Sequence, residues 1–596
     1  MRVILPLSAW ILVGCVDQRI EALERDIRDL QLAVEDMQAD RRAMEQAVRT
    51  AQAEGRLIYN RNPEGWDPTL PLPAGDPARP DVILLSVDTL RADHLGVYGY
   101  ERATSPYIDE LAARGTRFAN TWSPAPWTLP SHTTMLSGQL TSTHGVIEDH
   151  LKIPADVGLI QEVFQGAGYA TAGVTATLFV SSKFGFERGF DSFEDFDITD
   201  TNINNLATVN AENVFANATD WAQKQEEGKP VFLFLHVYDV HYQYSPPEPW
   251  NEKFDRPGTK ADGRYKNYEH YLRNPVPDEQ LAHQMASYDE EIAYVDDQLR
   301  QFLERWEASG RKAYFAITSD HGEEFAERGS WGHGHTLYPE QLHVPLVVVG
   351  PDVKRQVVTA RAGTEDIAPT LAGLAGLALP NADGQNHAAG LRGGRIDGAG
   401  VPAPFADTSR FDTNRIRWHS PPYDLYADLV SGEIRVCDTR KDPTCRTLVD
   451  DPAIAAKAAA GLQGFLGDPW GAKVDGTVKV EAGVVYNGRG APLASLPVIA
   501  GAKFTILPGD AQVTFTAADG TVSGPFQPLG GKLPAPEDPL TFGGRVIGEG
   551  VVLTDDDKAM LESLGYVMDD DEEDPAPAKA KTGKGKAKAK AAPVEE

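Results

Sequence analysis

From Ile20 onward, apolar residues return in heptad steps, with Ile20, Ile27, Val34 and Val48 on one seam and Leu23, Leu30, Met37, Met44 and Ala51 on the other. Only Arg41 interrupts the repeat, and the remaining positions are dense in Glu, Asp, Arg and Gln. A narrow apolar seam with charged flanks predicts a coiled coil over residues 18–54, not a helix packed on a globular core. β-Branched residues on the first seam with Leu on the second favour a parallel pair, so a homodimer is expected. Residues 55–80 follow as a linker; 61–80 hold six prolines and no periodicity, which reads as an extended spacer.

Beyond the spacer, four continuous apolar runs stand far apart, at 82–87, 231–237, 313–318 and 344–349, with helical patterns between them. Runs apolar at every position predict strands covered on both faces, hence an α/β fold whose sheet is sandwiched between helices. Residues 81–400 are assigned to this domain. In such sheets ligands gather at the carboxyl ends of strands, and two runs end in Asp88 and in Ser319-Asp320-His321. Past residue 400 the strand signals weaken. A smaller C-terminal region, 401–568, is expected to carry a few antiparallel strands within 475–553, with no function assigned. From Asp569 an acidic run and a Lys-Ala repeat form a tail, 569–596, unable to bury a core.

Charge narrows the partners. The net charge of −31 opposes nucleic acid and anionic lipid, so no nucleic-acid partner is expected. An anionic substrate would need local positive charge, such as a metal ion. Residues 1–15, MRVILPLSAWILVGC, join an early Arg2 to an apolar run too short to span a bilayer. This looks like a bacterial lipoprotein signal, with Leu12-Val13-Gly14-Cys15 as its lipobox; it implies lipid on Cys15 and a place in the cell envelope, facing the periplasm or exterior. A plain secretory signal and a short buried helix are the alternatives. Cys437 and Cys445, the remaining cysteines, are spaced for a small loop-closing disulfide in an exported chain, with free buried thiols as the alternative.

Asp88 ends one buried strand, and Asp320 with His321 ends another. A carboxylate there is costly unless it meets a cation or a donor, although acids at strand ends are also common helix caps. Two carboxylates and an imidazole suit one divalent ion, Mn²⁺, Mg²⁺, Ca²⁺ or Zn²⁺. Between them lies Pro126-Trp127-Thr128-Leu129-Pro130-Ser131-His132. Pro130 fits a first helical turn, which would leave Thr128 just before the helix start, as an N-cap or beside a bound anion.

These segments in this order resemble the sulfatase branch of the alkaline phosphatase superfamily, over roughly residues 81–380. The resemblance rests on Thr128-Leu129-Pro130-Ser131-His132, Asp320-His321-Gly322-Glu323, Val344-Pro345-Leu346-Val347 and Glu365-Asp366-Ile367-Ala368-Pro369-Thr370-Leu371. It implies an alkaline-phosphatase-like mixed sheet and a metal-dependent hydrolase of sulfate, phosphate or phosphonate esters. Asp88, Thr128, Asp320 and His321 would be the metal ligands and Thr128 the nucleophile. Sulfatases carry Cys or Ser at that position as the precursor of formylglycine; threonine cannot yield the aldehyde, so direct attack by the hydroxyl is implied. His241, in a segment resembling the family's Asp-Pro-His, and His333 and His335, where many sulfatases have a lysine, fall at its leaving-group and oxyanion contacts. His132 lies beside the place of the family arginine, as an anion donor. The family's Lys-x-His element is missing between Gly168 and Gly189, where Lys183 is the nearby lysine. Two alternatives remain at this level: a phosphoryl transferase acting on lipid or glycan, and an inactive surface scaffold.

Overall fold

The computed structural model describes residues 62–63, 65–195, 209–242, 244–255 and 276–396, and shorter segments between 405 and 554. The signal, the coiled coil and the Lys-Ala tail lie outside the described residues. Among the described residues no helix is long and apolar enough to cross a membrane.

A nine-stranded sheet forms the centre. Its middle strand, Asp81–Val87, is buried along its whole length and pairs in parallel with Val231–Val237 on one side and Ala313–Thr318 on the other. Ala170–Val174 and Ser192–Glu194 extend the sheet in parallel beyond Val231–Val237. On the opposite flank His343–Val349 runs antiparallel to Ala313–Thr318 and to Thr116–Trp122, which makes the sheet mixed. The apolar runs are therefore continuous because helices cover both faces. Among them are Thr128–Ser137, with no exposed residue, and the long helix Asp278–Ala308.

The spacer takes no helix or strand between residues 65 and 80, yet it is not loose. Leu72 is buried, Arg311 donates to Pro73 O at 2.8 Å, and Gly228 N donates to Ala74 O at 2.8 Å. Arg311 also grips both carboxylate oxygens of Asp81, each at 2.7 Å, so one buried guanidinium fastens the spacer to the start of the central strand.

The C-terminal region is richer in strands than its sequence pattern suggests. A four-stranded antiparallel sheet, Phe405–Thr408, Arg415–Ser420, Tyr423–Asp428 and Ile434–Asp438, follows the catalytic core. Cys437 and Cys445 are disulfide-bonded, with their Cα atoms 5.3 Å apart. Strands between Trp470 and Phe542 form two further antiparallel sheets, with Val478, Val480, Val513, Phe515 and Phe526 packed together among them. Glu549–Gly550 then returns to pair with Leu151–Lys152 of the catalytic core.

Candidate active site

The site lies at the carboxyl edge of the central strands. Asp88 follows Val87 directly, and Asp320 and His321 follow Thr318 by two and three residues, so the pairing of these strands brings the three groups together. Their ligand atoms all lie within 4.8 Å of one another, and all three residues are fully buried. Nε2 of His321 is 3.2 Å from Asp320 Oδ2 and 3.6 Å from Asp88 Oδ1. Between them the chain bends at Thr89, whose φ of 55° is unusual for a β-branched residue. The conformation is held by four hydrogen bonds. Thr89 Oγ1 donates to Val240 O, Thr89 N to Asp320 Oδ1, Leu90 N to Ser319 Oγ, and Tyr288 OH to Thr89 O.

Thr128 opens the helix Thr128–Ser137, with Trp127 in the cap position and no side-chain cap bond. The structure thus sets Thr128 one residue further into the helix than an N-cap. Its Oγ1 is 3.4 Å from Nε2 of His321.

The donor set fits a divalent cation. Asp88 Oδ1 and Asp320 Oδ2 are buried and accept no hydrogen bond. Burial pushes both carboxyls well above the ordinary range, aided by Glu323 at Asp88 and by Asp88 at Asp320. Burial, then the neighbouring His333, holds the His321 imidazole well below its usual value and hence neutral. His321 Nδ1 donates to Gly322 O at 2.9 Å, leaving the Nε2 lone pair for a metal.

A buried layer supports these ligands. His236 Nε2 lies 3.2 Å from Asp88 Oδ2. His132 Nδ1 bonds Thr128 O at 2.9 Å, and its Nε2 bonds Ser86 Oγ at 3.0 Å. Both nitrogens of His132 are therefore used within the fold, 3.4 Å from Asp320 Oδ2 at the nearest. The structure gives it a positioning place behind Thr128 instead of the anion contact expected from the sequence. Ser86 and His236 escaped the sequence reading; they are cross-strand neighbours in register, which alternation alone cannot reveal between runs so far apart.

His241 and His333 meet edge to face, ring centres 4.8 Å apart, and His333 lies 4.4 Å from the His321 ring. Nδ1 of His333 bonds Glu323 Oε1 at 2.9 Å, and Tyr244 OH donates to Glu323 Oε2 at 3.1 Å. Burial raises the Glu323 carboxyl to about 7. His241 is stacked on Tyr238, and burial first, then His333, lowers it to about 3. His335 does not join this group. Its Nε2 bonds Glu324 Oε2 at 3.2 Å and its Nδ1 lies 3.1 Å from His333 O, so it braces the loop that presents His333.

The sequence profile of the sulfatase family matches residues 80–377. "Uncharacterized sulfatase YidJ" of Escherichia coli (strain K12) is 23% identical over 349 residues, covering 51% of this chain and 69% of that protein. The "Arylsulfatase" of Clostridium perfringens is 22% identical over 370 residues, 51% of this chain and 76% of its own. Among solved structures, the phosphonate monoester hydrolase from Silicibacter pomeroyi superimposes with a TM-score of 0.55 at 19% identity, over 65% of this chain and 94% of that one. At that identity the superposition speaks for the fold alone.

Proposed function

The chain belongs to the sulfatase family, a family of ester hydrolases, and on that premise we propose that it hydrolyses phosphate, phosphonate or sulfate esters with Thr128 as nucleophile. The observation that carries the reading is the meeting of Thr128 Oγ1 with Asp88, Asp320 and His321, where two carboxylate oxygens lack any donor.

A divalent cation held by Asp88, Asp320, His321 and Thr128 Oγ1 would neutralise charge on the ester and favour the alkoxide of Thr128. The protein's own residues do the rest. Thr128 Oγ1 attacks phosphorus or sulfur, and the bond to the ester oxygen breaks as the leaving alcohol takes a proton. His333 and His241, packed beside His321, are assigned to relay that proton from Glu323, whose carboxyl burial raises to about 7 and which bonds His333 Nδ1. The product is a phospho- or sulfo-threonine at Thr128, which water then hydrolyses. Phosphoryl chemistry is favoured because threonine cannot supply an aldehyde hydrate to expel sulfate.

The test is a panel of aryl phosphates, phosphodiesters, phosphonates and sulfates, assayed with and without chelator. Acid-quenched reactions are then searched by mass spectrometry for a modified Thr128. Turnover with no dependence on divalent metal, or modification at another residue, overturns the reading.

We further propose that Cys15 carries lipid and holds the protein in the cell envelope, and that residues 18–54 pair two chains. Support comes from Gly14-Cys15 after a short apolar run and from the heptads. Cys15→Ser would release the protein from the membrane fraction, and sedimentation with and without residues 18–54 would test the dimer.

A further inference from the structure

The four-stranded C-terminal sheet is laid against the catalytic core near the site. Asp407 N donates to Pro124 O at 3.0 Å, Thr408 Oγ1 donates to Gly334 O at 2.7 Å, and the Arg415 guanidinium bonds His335 O. Between Thr408 and Arg415 stands Arg410, itself buried. Its guanidinium carbon is 4.5 Å from the centre of the Trp127 ring and 5.4 Å from that of Phe179, and these two rings meet edge to face. Trp127 is the residue before Thr128, so the cation is held against two aromatic rings, one of them next to the nucleophile in sequence.

Gly334, which accepts the Thr408 bond, directly follows His333, so the segment that carries Arg410 leaves the sheet beside the site. The charge of Arg410 reaches Asp149. There, although burial opposes it, a bond from His150 and the Arg410 charge keep the carboxyl below its usual range. The imidazoles around Thr128 are not permanent cations, since a histidine carries charge only when protonated. A guanidinium keeps its charge at any working pH, and its planar fork matches two oxygens of a tetrahedral oxyanion. In a chain of net charge −31, a buried guanidinium supplies the local positive charge that an anionic group needs.

We propose that Arg410 is the anion-recognition residue of this site, binding non-bridging oxygens of the sulfate, phosphate or phosphonate group presented to Thr128. Resting on the ester-hydrolase reading, the inference makes the C-terminal sheet part of the substrate site, which the catalytic core alone does not complete.

Inorganic phosphate is the probe, titrated by calorimetry into the full-length protein loaded with Mn²⁺, and used as an inhibitor of aryl ester turnover. Arg410→Met keeps an apolar stem against Trp127 and is expected to weaken phosphate binding by about 10- to 100-fold, with KM rising in parallel and kcat falling less. Arg410→Lys falls between, because the ammonium keeps the charge and loses the fork. It also decides the matter if the Met variant does not fold. Asp149→Asn should leave phosphate affinity unchanged or higher. The inference is overturned if the wild type binds no phosphate, if the folded Arg410 variants bind it within about twofold of wild type, or if Asp149→Asn weakens binding as much as Arg410→Met. A wild type that binds phosphate and hydrolyses no ester sinks the hydrolase reading, while the affinities of the variants still decide the role of Arg410.

Discussion

Thr128 Oγ1 and His321 Nε2 lie 3.4 Å apart although 193 residues separate them in the chain. The contact joins the start of a helix to the end of a strand, and it places the hydroxyl beside the atoms suited to a cation. Thr128→Ala is expected to lower kcat on the order of a thousandfold, with residual turnover from electrostatics alone. Thr128→Ser should keep a measurable part of the rate, since it retains the hydroxyl. Far-ultraviolet circular dichroism and kinetics on both variants check this; parental turnover by the Ala variant would reduce Thr128 to a packing residue.

Asp88 and Asp320 should bind the cation together. Both folded-state pKa values are raised, first by burial. In the metal-free protein their contribution to stability is therefore fully present below the ordinary carboxylate range and is lost as pH rises through the raised values. Cation binding needs the ionised forms, so the stabilisation it brings should grow with pH. Thermal unfolding with excess Mn²⁺ should rise by an amount equivalent to about 2.7 kcal/mol at a hundredfold excess over Kd. Asp320→Asn should remove that increment.

His333 and His335 stand two residues apart and have different partners, one facing His321 and the other Glu324. His333→Ala is expected to cut kcat by about 10²- to 10⁴-fold. His335→Ala should mainly lower thermal stability and leave kcat within about tenfold, because it acts only through the loop. Equal losses of kcat would show that both rings serve the chemistry.

Acid should loosen the C-terminal sheet through Asp424, which bonds Arg417 and His419. Although burial opposes it, the charge of Arg417 and the His419 bond hold this carboxyl well below the usual range. A depressed folded pKa contributes stability above the unfolded value of about 3.9 that is lost as pH falls through the folded one. Asp424→Asn should therefore destabilise the protein by about 3 kcal/mol near neutrality, leaving Arg417 buried without its partner. The gap to wild type should narrow below about pH 4 in thermal unfolding measurements.

The catalytic sheet was legible because its strands are apolar at every position and end in acids, a signal that survives without any partner strand. Asp88, Asp320 and His321 could be placed for that reason, and Thr128 because Pro130 marks a first turn. Ser86 and His236 lie within those same runs, and their meaning comes from a register between strands about 150 residues apart. The roles of His132 and His335 turned on side-chain direction, which spacing does not encode. The C-terminal strands were faint because some bury one face only, as in Gly476–Glu481, whose residues alternate in burial, and others bury polar residues such as Arg417 and Asp424 where an apolar run would show. Arg410 lay in that faint region.

The fastening of the spacer also sets a posture. Leu72, Pro73 and Ala74 are held at the amino end of the central strand by Arg311 and Gly228, whereas Asp88 lies past its carboxyl end. Seven strand residues separate the two, roughly 23 Å of protein. A chain held at its amino-terminal side would thus turn the carboxyl edge of the sheet, with Asp88 and Asp320, away from its support. If Cys15 carries lipid as proposed, that orientation would favour esters displayed on large molecules in the surrounding fluid over headgroups of the membrane.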